Sequence, residues 1–324
     1  MTAQFNSLNL LGIVNAVQNE LGLPQSMSVV GNPDATTTQL LSLANRVVDE
    51  LRQMNRWTVQ QFEYNIIVSP PVITTGNLTQ NSPIITNIGN VTGIAPNSWM
   101  CSGNGIPQAA RVLSVDSSNQ VTLTMEPTGA SQVGADLTFA QDTYPMPHFF
   151  DWFNNRTMWD RTNRWELLGP DSPQMDQWHR SGIVATGPRR HFRMVGPSSN
   201  QFRLWPQPVE ITSPLQLVFE YLSAASINVQ NAGTQYVQYW QNDTDTPLLD
   251  CNAITQGVKW MFWEVKGFNY VAMQNRWIDY VNRLIARDGG AATLKLNKSQ
   301  NPIFLSPSNV QDGFFPGPVG PNSG

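Results

Sequence analysis

Charge is scarce in this chain of 324 residues: only 13% are Asp, Glu, Lys or Arg, about half the share usual for a soluble protein. Lysine is nearly missing, and arginine supplies 15 of the 19 cations. With a net charge of −4 no global basic field exists to collect DNA, RNA or anionic lipid. Cysteine occurs twice, as Cys101 and Cys251 in distant segments, which reads as two buried free thiols rather than a disulfide or a ligand pair. No apolar run approaches about 18 residues, and the first residues show neither a basic segment nor a small-residue cleavage site. Neither a membrane span nor secretion is expected. Phosphate-binding glycine loops, GxSxG, HExxH and CxxC are absent. The three histidines, His148, His179 and His191, stand beside aromatic or arginine residues and read as packing or interface residues. The expectation is therefore no enzyme, no cofactor and no metal.

What is there instead is amide and aromatic. Thirty Asn and 25 Gln outnumber the 42 charged residues, and 11 Trp and 14 Phe within 40% hydrophobic residues supply core enough for two compact units. Leu10, Val14, Val17 and Leu21 recur at helical spacing behind a possible Ser7 cap and stop at Gly22 and Pro24. A second helix opens at Asp34 or at Asn32-Pro33 and ends near Arg56, with Leu40, Leu43, Val47 and Leu51 on one stripe. Residues 57–68 turn to strand chemistry.

Residues 69–143 change character. They hold no Lys, no His and a single Arg, Arg111, and their short β-like runs separated by Gly and Asn turns have the spacing of a small sandwich. This stretch reads as an inserted all-β domain in a parent made of residues 1–68 and 144–288. The parent carries three strand candidates, Arg189–Val195, Gln201–Trp205 and Leu215–Tyr221, read as a meander. Its longest helical stretch begins at Thr246-Pro247, capped by Asp245 or Thr246, and breaks at Gly267. The predicted fold is α+β: a helical-bundle core with a small antiparallel sheet, the inserted sandwich and an extended arm, residues 289–324. Six Gly and five Pro in that arm deny it a core of its own.

Eight arginines lie between residues 151 and 210 against six acids. Arg189, Arg190 and Arg193 suit ordinary ion pairs, a protein interface or local DNA contact, and the aromatic and guanidinium mixture of Trp159, Arg161, Arg164 and Trp165 suits interface hot spots. Trp263 and Tyr270 give the last helices more apolar perimeter than one stripe needs, which marks them as candidate subunit contacts.

Several short segments in order resemble the head-to-tail adaptor proteins of tailed bacteriophages, of the podovirus-like type below the portal. They are Asn15-Ala16-Val17, Leu21-Gly22-Leu23-Pro24, Ser28-Val29-Val30-Gly31, Trp159 to Trp165, Leu168-Gly169-Pro170, Phe219-Glu220-Tyr221, Asp245 to Leu249, Gly257-Val258-Lys259-Trp260 and Ile285 to Gly290. Within 69–143, Ser82 to Thr86, Gly103 to Pro107 and Val121 to Thr124 resemble β-sandwich modules of phage structural proteins. The resemblance implies a virion protein at the head–tail junction, assembled in the host cytoplasm as a closed ring of about 12 copies. Its implied partners are the portal, a tail nozzle or tail tube protein and possibly fibres, with genomic DNA passing unbound through the lumen. In that setting Ile303, Phe304, Leu305, Phe314 and Phe315 of the arm would dock on the portal. Two other classes fit less of the chain: a virion carbohydrate-binding or cell-wall-degrading protein, and a DNA-binding terminator.

Overall fold

The computed structural model describes residues 8–181, 190–196, 201–209, 211, 213–229 and 235–288. The predicted docking residues Ile303, Phe304, Leu305, Phe314 and Phe315, and Arg189, lie outside the described residues. The chain forms two compact units, one from residues 8–62, 149–153 and 221–288, the other from the described parts of 63–148 and 154–220.

In chain order the elements are α1 (Leu10–Leu21), α2 (Ala35–Met54), β1 (Gln61–Val68), β2 (Val72–Leu78), β3 (Ile84–Ile85), β4 (Trp99–Gly103), β5 (Val112–Ser117), β6 (Gln120–Leu123) and β7 (Gln132–Gln141). There follow β8 (Thr143–Pro145), β9 (Phe150–Phe153), β10 (Trp159–Asp160), β11 (Trp165–Glu166), α3 (Pro173–Arg180), β12 (His191–Val195) and β13 (Gln201–Trp205). The last are β14 (Leu215–Ser223), β15 (Ile227–Val229), β16 (Gln235–Val237), β17 (Thr246–Pro247), α4 (Cys251–Val265) and α5 (Val271–Asp288).

The first unit is built on helices whose ends are closed by side chains. Asn9, not Ser7, caps α1 by accepting the Gly12 N–H at 2.9 Å, and Asp34 caps α2 through the Thr37 N–H at 2.8 Å, each satisfying an amide that has no intrahelical partner. Gly22 ends α1 in the left-handed conformation at φ +68°, and the Leu23 N–H returns to the Gln18 carbonyl at 2.8 Å. Leu10, Ile13 and Val17 of α1, Leu40, Val47 and Leu51 of α2, Ile254 and Val258 of α4, and Trp277 and Val281 of α5 share one buried cluster. Thr246-Pro247 does not open a helix; it is β17, in the sheet β16-β15-β17. The cap of α4 is Asp250, whose carboxylate accepts the Ala253 N–H at 2.8 Å, while Asp245 accepts from the backbones of Gln241 and Asn242.

Gly257 of α4 lies against side chains of α2 and α5. A Cβ there would stand 2.6 Å from Val47 Cγ1 and 3.1 Å from Trp277 Nε1, and Val47, fully buried and β-branched, has no free rotamer to yield with. Gly257→Ala is therefore expected to destabilise the chain by about 1–3 kcal/mol, although alanine is the better helix former by about 1 kcal/mol. A urea midpoint equal to or above that of the parent would show that the crowding relaxes.

In the second unit, residues 72–141 form two antiparallel three-stranded sheets, β2-β7-β4 and β3-β6-β5. One apolar cluster including Leu78, Ile85, Val112, Val121, Leu137 and Phe139 lies within them. A third sheet has the order β12-β13-β8. β13 therefore pairs with β8 on its far side rather than with β14, and the expected meander stops at two strands. β10 pairs with β11 and with β14.

The expected helical-bundle core is corrected by this architecture. Among the described residues 32% lie in strands, spread over five sheets, and 29% in helices. Most of the strands are only two to five residues long, too short to display a period-two pattern, so the sequence reading underweights them. The helices of 12 to 20 residues, α1, α2, α4 and α5, are long enough to show their stripes and are overweighted.

Candidate functional site

The aromatic and arginine segment from Trp159 to Trp165 is a short hairpin folded around Asp160. That carboxylate is almost fully buried and accepts the backbone N–H groups of Thr162 and Asn163, both at 3.0 Å, and the Asn163 amide at 2.8 Å, the turn-forming behaviour of aspartate. Arg164 closes the turn at φ +62°. Arg190 Nη1 approaches Asp160 at 3.9 Å. Beside the hairpin lies an open cleft of about 450 Å³, where Arg156, Arg161 and Arg164 face Glu63, Asp160 and Glu220. Arg161 and Glu63 pair at 2.7 Å with both side chains half exposed. Three guanidinium groups and three carboxylates leave the cleft balanced in charge, suited to forming ion pairs and hydrogen bonds with another polar surface. Trp159 lines it at 38% exposure, and Trp165 is half-buried on β11.

A second cluster is buried. Asp142, with no exposed surface, pairs with Arg111 and stands 3.7 Å from Arg180, and Asp176 pairs with Arg180 Nε at 2.9 Å and with Arg193 Nη1 at 3.0 Å. The Arg180 guanidinium also lies over the Trp205 ring, 4.8 Å from its centroid. Burial pushes the Asp176 carboxyl up, but the hydrogen bonds and charges of Arg180 and Arg193 outweigh it and hold the group below the usual carboxylate range. Burial, with the Arg111 charge adding to it, lowers Arg203 to about 10. Arg193 is thus turned onto Asp176 within its own chain.

Next to this network, Asp171, His179 and His191 bring three ligand-type atoms within 4.8 Å of one another. Asp171 Oδ2 stands 3.2 Å from Nδ1 of both histidines, and the imidazole rings are 4.4 Å apart. Sequence reasoning missed this grouping because it missed α3. Its signal was present: Ser172 caps the helix and Pro173 occupies the first turn. What hid it is the face it buries, Asp176, His179 and Arg180, while Met175 and Trp178 are exposed; no apolar stripe marks such a helix.

Trp263 and Tyr270 both pack, partly buried, against the core of the helical unit, Trp263 edge-on to Phe268 at 5.8 Å. Around the α4–α5 turn Val265, Phe268 and Val271 are each more than half exposed. Burial raises the thiols of Cys101 and Cys251 above their usual range, which makes them unreactive. Among the described residues no helix is long and apolar enough to cross a membrane. Comparison with known proteins finds no family model and no curated protein that matches this chain.

Proposed function

We propose that the chain is a structural virion protein: a head-to-tail connector that assembles into a ring of about 12 copies between portal and tail and continues the DNA channel. The observation that carries this reading is where the adaptor-like segments sit. Val29 and Val30, of Ser28-Val29-Val30-Gly31, donate their N–H groups to the Asp243 carboxylate at 2.8–3.1 Å. The Leu10 N–H donates to the carbonyl of Asp245, which opens another of these segments, at 3.0 Å. Gly22 closes α1, and Gly257 sets the approach of α4 to α2. Several of the segments that resemble the adaptors are thus joints of the helical unit, as expected if that unit is the shared framework, while Trp159 to Trp165 and Leu168-Gly169-Pro170 belong to the other unit.

Partner contact is supported by the exposed Val265, Phe268 and Val271, a patch of the kind that interfaces cover. An amide-rich, weakly charged surface suits permanent wet contacts and lets DNA slide past.

Electron microscopy of the purified chain mixed with its portal tests the reading. A closed ring seated on the portal is expected, and a chain that stays monomeric and fails to bind would overturn it. Truncation after Gly290 is expected to leave far-UV circular dichroism and melting unchanged but to abolish or sharply weaken portal capture, with Phe314→Ala plus Phe315→Ala intermediate. Undiminished capture by the truncated chain would move docking to the arginine residues around Arg190 and Arg193.

A further inference from the structure

We propose that Asp171, His179 and His191 form a binding site for one zinc ion. The argument starts from the donors. Two imidazoles and a carboxylate are a donor set that zinc accepts readily, whereas magnesium and calcium take oxygen. Zinc bonds of about 2.0–2.2 Å place tetrahedral ligands about 3.3 Å apart. The two separations between Asp171 Oδ2 and the histidine Nδ1 atoms are both 3.2 Å and all three ligand atoms lie within 4.8 Å of one another, so two edges of a coordination shell are present and the third closes as the imidazoles draw together around the ion.

His179 supplies an independent reason. Its side chain is more than nine-tenths buried, and its Nδ1, although 3.2 Å from the carboxylate, has no hydrogen bond of acceptable direction. A buried ring nitrogen without a partner is unusual, and a cation between the three groups is the partner it lacks. His191 Nδ1, by contrast, has a hydrogen bond with Asp171 Oδ1 at 3.3 Å, which the ion would replace.

Backbone bonds hold the three residues in place before any ion arrives. The Asp171 N–H donates to the Phe192 carbonyl at 2.8 Å, the Phe192 N–H to the Leu168 carbonyl at 2.9 Å and the Leu168 N–H to the Arg190 carbonyl at 2.9 Å. Asp171 is thereby fixed beside the first residues of β12, where His191 stands. His179 lies in the last turn of α3, whose first turn follows Asp171 directly. An ion here ties α3 to β12, a constraint that favours the folded chain. Three protein ligands leave a fourth position for water, and His191 is the most exposed of the three.

The test uses the untagged full chain, stripped with a chelator and titrated with zinc chloride by calorimetry. One equivalent per chain is expected, with a rise in melting temperature. Cobalt(II) in its place should give the intense visible absorption of a four-coordinate site. Asp171→Asn and His191→Ala should each weaken zinc binding by about 100-fold or more, since loss of even an outer partner of a metal ligand costs about 10–100-fold. His191 is partly exposed, so its variant is expected to fold, which circular dichroism checks. His148→Ala should bind as the parent does. No stoichiometric zinc on the folded parent, unchanged affinity in Asp171→Asn and His191→Ala, or loss of the signal in His148→Ala would each overturn the proposal.

Discussion

Replacing Asp142 with asparagine is expected to remove about 3–5 kcal/mol of stability, read as the urea midpoint by circular dichroism. The carboxylate has no exposed surface and faces Arg111 and Arg180, while Thr143 donates its hydroxyl to Oδ1 at 2.9 Å. Without that charge two largely buried guanidinium groups repel each other with Arg203 nearby, which burial first and the Arg111 charge second lower to about 10. The same loss should not follow from Glu63→Gln, because the Glu63–Arg161 pair is half exposed and such pairs contribute about 1 kcal/mol or less. Equal effects of the two substitutions would refute the assignment of the buried network as a structural support. Acid should act on this network too. Asp176 titrates below its unfolded value near 3.9, so its contribution is complete above that pH and fades as the pH falls through the folded value.

Trp277→Ala is expected to cost a further large share, about 3–5 kcal/mol. The indole is 2% exposed, donates to the Ala253 carbonyl at 2.8 Å and packs on Trp260 with ring centroids 5.5 Å apart. The gap left between α4 and α5 is bounded by Gly257, which has no side chain to fill it. Trp263→Ala and Tyr270→Ala remove side chains that are only partly buried, so each should weaken assembly more than it lowers the melting temperature of the monomer. Sedimentation set beside thermal melts separates the two effects. A Trp263→Ala chain that melts as early as Trp277→Ala would return that residue to the core.

The helices were legible because their burial has one simple period. Leu40, Leu43, Val47 and Leu51 write the inner face of α2 directly into the sequence, and Asp34 announces its start. The strands Gln201–Trp205 and Leu215–Ser223 were found within two residues of their ends. The pairing of strands was not readable: β13 meets β8 across more than 50 residues of sequence, and nothing local in Thr143-Tyr144-Pro145 specifies that partner. The buried network failed to show for a related reason. Asp142, Asp176 and Arg180 look like surface residues one at a time, and only the fold brings their opposite charges together. Asp245 was read as a helix cap since it precedes Thr246-Pro247, but a cap must stand directly before the first turn, and that place belongs to Asp250.

The Asp243 carboxylate that holds Val29 and Val30 lies 214 residues beyond Val29, which bears on how the chain leaves the ribosome. At about 5–20 residues per second, α2 is complete on the order of 10–40 s before Asp243 and α4 are made. For that interval Leu40, Leu43, Val47 and Leu51 have no α4 to meet, and an apolar stripe stands open. Ribosome-bound chains stalled before residue 243 should accordingly recruit holding chaperones, and release from them should coincide with the synthesis of α4. The helical unit, though it contains the first helices made, is therefore among the last parts of the molecule to close.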